Sequence, residues 1–327
     1  MSDSHRSDGP GTPTTQVRRW IATGPADTAY STELVLEVGE LVEPGTGEVT
    51  IEVVAAGVNP ADLKHTRTAT SYPHPIGYEI AGRVVATGPD TEIASGPVAL
   101  GDEVLAFRVY GGYADAMTVS AATVFAKPDT VGFNEAAGLL LAGSTAADLL
   151  RATHAQPGEL VALHGASGAV GVAVLQLAQA RGIDVIGTAS AAGVDRIAHF
   201  GARTTTYGPG VSGRIRALAN GRQIAASLDA AGTDEAVDSC LELTADRSRI
   251  ATVAAPRRAA ADGFVALGGS QPASAAFRDS VRGELISLAA SGQLTVPIAA
   301  TFPLAEARGA LNLVASGHPG GKVILHP

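Results

Sequence analysis

Apolar positions between residues 18 and 127 fall in short alternating or β-branched runs, separated by Gly, Pro and Asp. The runs "RRWIAT", "VTIEVVAAGV", "AGRVVATG", "DEVLAF" and "YADAMTV" predict the strands of a barrel-like β domain. After "AKPDT" the period changes. Residues 132–155 carry Ala and Leu at helical spacing, and Pro157-Gly158 closes that helix ahead of a strand at 160–164.

From there the two periods alternate. Helices are predicted at about 170–181, 194–201, 211–220 and 234–243, with strands at 183–190, 204–207, 225–232, 249–255 and 263–269. Such alternation implies a parallel, doubly wound sheet. The pattern then turns mixed: a helix near 275–291, an extended stretch at 295–304, a short helix at 305–316 and a last strand at 322–327. The reading is therefore a β domain made of residues 17–126 and 271–327, an inserted α/β domain of residues 127–270, and a disordered polar tail of residues 1–16. No internal repeat interrupts this plan.

Composition narrows the function. Apolar residues make up 46% of the chain and charged residues 17%, which is globular. A net charge of −9 with no basic stripe argues against nucleic acid as a partner. No run approaches the ~20 apolar residues of a membrane span, and the N-terminal residues lack the apolar core of a signal peptide. The single cysteine, Cys240, offers neither an internal disulfide nor a redox pair, so a reducing cytoplasm is expected.

The candidate chemistry begins at "VALHGASGAVGVAVLQLAQARG", residues 161–182. Gly165, Gly168 and Gly171 lie between a predicted strand and a predicted helix. Glycine there allows a tight turn, close approach of backbone N–H groups to a pyrophosphate, and close packing of helix on sheet. The phosphate cradle is expected from Gly165, Ala166, Ser167, Gly168, Ala169, Val170 and Gly171. An acidic residue at the end of the next strand would hold the ribose of NAD and repel a 2′-phosphate. The chain has Thr188 and Ser190 there instead, with Arg196 and Tyr207 further on. That favours NADPH, although Arg196 reads equally well as a solvated helix residue. His164, beside the turn, reads as a packed strand-end residue rather than a catalyst.

Six stretches then carry a resemblance: "AAGVNPADLK", "PIGYEIAGRVVATG", "GDEV", "GGYADAMTV", "HGASGAVG" and "GGKVIL". In this order and spacing the chain from about Arg18 onward resembles the medium-chain dehydrogenase/reductase superfamily, in its zinc-free quinone oxidoreductase-like branch. The resemblance implies a GroES-like β-barrel catalytic domain, a Rossmann domain for the dinucleotide, an active site in the cleft between them, and a homodimer. The strand at 263–269 could pair across the two-fold axis or serve as an ordinary sheet edge.

The resemblance also implies site residues. Zinc-dependent members carry a Cys where this chain has Asn59, a His where it has Tyr78, and a third ligand near Ala142 and Gly143. None of these replaces thiolate or imidazole as a zinc ligand, so no metal is expected. Asp62 and Glu79, which sit beside the metal in those relatives, are expected to hold the loop by hydrogen bonds. Asn59 is expected close to the nicotinamide, with Ser144, Thr145, Leu267 and Gly268 around the same end of the cofactor and Lys322 as a late basic contact to it.

Without a Lewis acid, alcohol oxidation is disfavoured, and the fitting task is hydride delivery to an acceptor already electron-poor by conjugation. The expectation is an NADPH-dependent reductase of quinones or α,β-unsaturated carbonyls, with Asn59, Tyr72 and Tyr78 as candidate hydrogen-bond or proton donors, and water as the alternative proton source. Two other readings stay open: a dedicated carbonyl or enoyl reductase of a biosynthetic pathway, and a non-catalytic NADPH-binding protein.

Overall fold

Period-2 alternation does form strands in the first third of the chain, and they curl into a mixed sheet. In this computed structural model, which describes residues 16–28, 31, 33–317 and 319–327, that sheet runs in the order Val124–Ala126, Glu103–Phe107, Glu79–Thr87, Glu48–Val58, Lys322–His326, Ile298–Pro303, with Ala116–Ser120 also paired to Glu48–Val58. The C-terminal strand Lys322–His326 lies antiparallel to Glu48–Val58, with Ile324 opposite Gly57. The chain thus returns to its first sheet only after building a second one.

That second sheet is parallel, in the order Arg203–Thr206, Asp184–Ala189, Leu160–His164, Ile224–Asp229, Ile250–Thr252, Val265–Ala266. It is the doubly wound arrangement in which strand order reverses between Leu160–His164 and Ile224–Asp229. The crevice outside their C-terminal ends is where ligands bind in such sheets. The molecule is therefore α/β: a GroES-like β domain joined to a Rossmann-type sheet.

Three helices position the site: α1 (Pro60–Thr68), α2 (Phe133–Ala152) and α3 (Ala169–Ala180). The second is apolar on nearly every side, as suits a helix buried between two layers. Its Leu139 and Leu149 share one core cluster with Ala55, Ala81 and Leu105 of the mixed sheet and with Val161 and Leu163 of the parallel one. The two sheets are joined through α2.

Departures from the sequence pattern have local causes. The helix expected at 275–291 is two, Pro272–Ser280 and Arg282–Ala290, meeting at Val281. The strand expected at 263–269 shortens to Val265–Ala266, because the preceding helix Pro256–Asp262 ends only at Gly263 in the left-handed region. Gln16, placed in the tail, opens the strand Gln16–Ala22; the rest of the expected tail lies outside the described residues. Among the elements the pattern missed are the strand Leu34–Glu40, α1 and the helix Pro256–Asp262.

Candidate active site

Helix α1 begins where the strand Glu48–Val58 ends, with Asn59 as N-cap and Pro60 in the first turn, the position where a missing N–H costs nothing. Asp62 closes the start of the helix. Its Oδ2 accepts the Asn59 backbone N–H at 2.7 Å and the Tyr113 hydroxyl at 2.8 Å. The Asn59 side chain donates from Nδ2 to Glu79 Oε1 at 3.0 Å and to the Gly57 carbonyl at 3.2 Å, while Oδ1 accepts from Lys322 Nζ at 2.6 Å. Lys322 also pairs with Glu79 Oε1, and Glu79 Oε2 accepts the Leu141 N–H of α2 at 3.0 Å. Asp62 and Glu79 do hold this loop by hydrogen bonds.

The network is sealed: Asn59 is 4% exposed, Lys322 2% and Glu79 1%. Removal from water is costly for charge, so Lys322 and Glu79 balance each other. Asp62 has no such direct partner. Burial pushes its carboxyl up to about 7, against the opposing pull of Tyr113, Asn59 and Lys322, and its Oδ1 has no hydrogen-bond partner. Burial likewise holds the Tyr113 hydroxyl well above its usual range, so it remains a donor.

At the glycine turn, Gly165 has a φ of 77°, a left-handed conformation that a side chain would strain. A Cβ on Gly171 would come within 2.3 Å of the Gly165 carbonyl oxygen, so this glycine lets α3 lie against the turn. Gly168 differs: a Cβ there would meet only the Gly165 oxygen, at 3.6 Å. The space above it is open. The first backbone bond of α3 runs from Val172 to Gly168, and no side chain caps the helix, so the N–H groups of Ala169, Val170 and Gly171 precede the helical ladder. Unpaired donors with a positive helix end above an open glycine fit a dinucleotide pyrophosphate.

Ser190 stands at the N-cap position of the helix Ala191–Ala198, just past the second parallel strand, with no capping hydrogen bond from its side chain. A Cβ on Gly193 would lie 3.3 Å from both Ser167 Cβ and Ser190 Oγ, so the turn and the strand end converge. Tyr207, half exposed, donates its backbone N–H to Ala189 next door. Thr188 is buried, its hydroxyl 3.3 Å from His164 Nδ1, and its carbonyl accepts the Ala166 N–H. Its side chain steadies the turn from behind rather than facing a ribose. Burial lowers the His164 pKa, which keeps the ring neutral. Arg196 is exposed, with its guanidinium beside Gly320 on the returning C-terminal loop. Leu267 and Gly268 follow the edge strand, and Gly268 faces open space; Thr145 is buried in α2.

On the β-domain side stands a wall of rings. Tyr78 is edge-on to His65 at a centroid distance of 4.4 Å, to Tyr110 at 5.3 Å and to Phe107 at 5.5 Å. Burial pushes the Tyr78 phenol up to about 12, so it keeps its proton at neutral pH. Arg108 sits beside the Tyr78 hydroxyl and bonds from Nη1 to both carboxylate oxygens of Asp279 at 3.2 Å. Asp279 belongs to the helix Pro272–Ser280, which packs on α2, so this contact spans the junction between the two layers.

Besides Thr188, three expected site residues are engaged elsewhere in the fold. Both amide protons of Asn59 are engaged by Glu79 and Gly57, so Asn59 has no donor left for a substrate oxygen. The Tyr72 hydroxyl donates to the Thr66 carbonyl at the end of α1, which removes it as a ready proton donor. The Lys322 ammonium is held inside by Glu79 and Asn59, where a contact to a cofactor would break a buried ion pair. Arg108, His65 and Tyr110 were missed, and so was Asp279, which is distant in sequence from Arg108 and has no local signal linking the two.

A zinc site was tested on the same geometry. The three positions that would ligate the metal hold an engaged amide, a protonated phenol, and the donor-free pair Ala142 and Gly143. Among the described residues no group of three or more His, Cys, Asp or Glu side chains could hold a metal ion. This donor set does not fit tetrahedral zinc.

A GroES-like β sheet and a doubly wound parallel sheet, joined by a buried helix and with a glycine turn open at the strand ends, define the class of dinucleotide-dependent oxidoreductases. Residues 45–129 match the alcohol dehydrogenase GroES-like domain and residues 192–325 the zinc-binding dehydrogenase family. The chain belongs to the medium-chain dehydrogenase/reductase superfamily of pyridine-nucleotide-dependent oxidoreductases. It is similar to a quinone oxidoreductase from Pseudomonas aeruginosa, 29% identical over 91% of this chain and 98% of the relative. Among solved structures, a mycobacterial protein in complex with NADPH is 27% identical with a TM-score of 0.79, covering 95% of this chain and all of that one. The CurK enoyl reductase, 23% identical with a TM-score of 0.81 over 95% of this chain and 99% of its own, shares the fold.

Proposed function

We propose that the protein is a zinc-independent, NADPH-dependent reductase of quinones or other α,β-unsaturated carbonyls. The observation that carries this reading is the donor set of the cleft: an engaged amide at Asn59, a protonated phenol at Tyr78, and no side-chain donor at Ala142 and Gly143. With no Lewis acid to lower an alcohol pKa, the reaction that suits the site is reduction of a conjugated acceptor.

NADPH, bound over Gly168, would supply the hydride. The N–H groups of Ala169, Val170 and Gly171 would hold its pyrophosphate, and Thr145, Leu267 and Gly268 would flank its nicotinamide end. Ser190 and Tyr207 would supply hydroxyls at the ribose end, where the second parallel strand ends in Ala189 and not in an acidic residue. Arg196 is near enough to the same end to add charge if it leaves the Gly320 loop. Water would meet the negative charge left on the acceptor oxygen and deliver the proton, since the hydroxyl of Tyr72 and the amide of Asn59 are engaged. The NADPH complex of the mycobacterial neighbour supports the choice of cofactor. A homodimer in the cytoplasm completes the reading. Among the described residues no helix is long and apolar enough to cross a membrane, and Cys240 is buried.

The test is NADPH oxidation by the purified protein with benzoquinone or a simple enone, with and without chelator, and with NADH in comparison. We expect turnover that survives the chelator and is at least about tenfold faster with NADPH, the size of one charge-assisted contact to the 2′-phosphate. Tight NADPH binding with no turnover of any acceptor would instead leave a binding protein.

A further inference from the structure

The ring wall is more than a stand-in for a metal site. His65, Tyr78, Phe107 and Tyr110 form a continuous aromatic face, and His74 extends it at a centroid distance of 5.8 Å from Tyr110. Tyr110 is 53% exposed, unusual for a large ring in contact with three others. Burial lowers the pKa of both His65 and His74, so at neutral pH the face is uncharged. Neighbouring rings stand at 53° to 88° to one another, so the face is a neutral aromatic notch that meets a flat guest with one ring face and the edges of the others.

One cation interrupts this face. Arg108 holds a φ of 65°, a backbone conformation that non-glycine side chains rarely adopt, and its N–H and that of Val109 both bond to the Tyr78 carbonyl. The chain accepts that strain and sets a guanidinium beside the Tyr78 hydroxyl. Asp279 does not cancel the charge, because it is shared. Its carboxylate faces Arg108 and also Arg282, whose guanidinium lies 5.2 Å from the centre of the Phe107 ring. Two arginines and one aspartate leave one positive charge at the wall. Arg282 is 5% exposed and its Nε has no hydrogen-bond partner, so the group is built into the fold and is not a chance meeting of surface side chains.

We infer that the acceptor bound in this cleft is a planar aromatic ring bearing an anionic group, with Arg108 as the residue that selects the charge. The inference rests on the reductase reading, narrowing its acceptors from conjugated carbonyls in general to ring acceptors carrying a carboxylate, sulfonate or phenolate. The half-exposed ring of Tyr110 stacks on the acceptor, and Tyr78, at 70° to Tyr110, meets it edge-on. The guanidinium edge of Arg108 that Asp279 leaves free receives the anion. A guanidinium is suited to this because its planar fork meets an oxyanion in two places.

The test uses two ligands that cannot be reduced, naphthalenesulfonate and naphthol, titrated by calorimetry into the protein with and without NADP+. Wild type should bind the sulfonate about tenfold tighter than the neutral ring, in keeping with one charge-assisted hydrogen bond. That preference should shrink as salt rises. Arg108→Gln should bind both ligands alike, and Tyr110→Ala should weaken both. Equal binding of the two ligands by wild type overturns the inference, as does a preference that Arg108→Gln retains. Because the first comparison needs no variant, misfolding of Arg108→Gln does not decide the result. Quinone turnover measured separately keeps the two claims apart: a protein that prefers the sulfonate but reduces no quinone fails the reductase reading alone.

Discussion

Lys322 shows how far a single residue can stray from its motif. In "GGKVIL" it reads as a basic side chain at the start of the last strand, either a late contact to the cofactor or a solvated strand residue. In the fold that strand is paired on both sides, and Lys322 runs inward past Gly138 of α2 to reach Glu79 and Asn59. Removing one partner of a buried pair leaves an uncompensated charge, which typically costs about 3–5 kcal/mol. Lys322→Met should therefore lower the urea midpoint sharply, and adding Glu79→Gln to it should restore most of the loss. A single variant as stable as wild type would show that the pair is not a structural requirement. What the sequence could show at this scale was residue type: amide for thiolate at position 59, phenol for imidazole at position 78. It could not show that the Asn59 amide would be fully engaged, because its partners come from positions 57, 79 and 322 and meet only after folding.

Elements were legible where one periodicity ran long enough. The helix expected at 132–155 is Phe133–Ala152, and the turn-to-helix unit at 165–181 appears as α3 after Gly168. Short elements escaped. Helix α1 spans nine residues, mostly charged or polar and with Ala61 and Leu63 as its few apolar ones, and only the Asn59-Pro60 start with Asp62 marks it. The break at Val281 is marked only by Gly283, which falls inside the next helix rather than at the break. Within the glycine turn the three glycines serve different ends, and this gives a paired prediction. Gly171→Ala puts a methyl into backbone at 2.3 Å, so α3 must shift; the variant should lose about 1–3 kcal/mol of stability along with dinucleotide affinity. Gly168→Ala meets nothing closer than 3.6 Å, so its urea midpoint should stay put while NADPH affinity drops about tenfold, because the methyl stands where the phosphate would approach. If Gly168→Ala binds NADPH as well as wild type, the open space above the turn is not the phosphate site.

Over the whole molecule, the question is whether nucleotide binding at one sheet is felt at the other. One core cluster runs from Leu163 of the parallel sheet through Leu139 and Leu149 of α2 to Leu105 of the mixed sheet. A second holds the far side of the β domain, including Trp20, the chain's one tryptophan, whose indole N–H donates to the Leu304 carbonyl at 2.8 Å. Trp20 therefore reports a core cluster that shares no residue with the one beside the glycine turn, while far-UV circular dichroism reports the helices around that turn. A ligand that binds only the folded state stabilises it by about 2.7 kcal/mol at a hundred times its Kd. If α2 couples the two cores into one cooperative unit, NADPH at that excess should move the Trp20 fluorescence midpoint and the dichroism midpoint together in a urea titration, and NADH at the same concentration should move both by less. A dichroism midpoint that shifts while Trp20 stays put would mean that the β domain unfolds on its own, and that the shared packing through α2 is too weak to carry binding energy across the cleft.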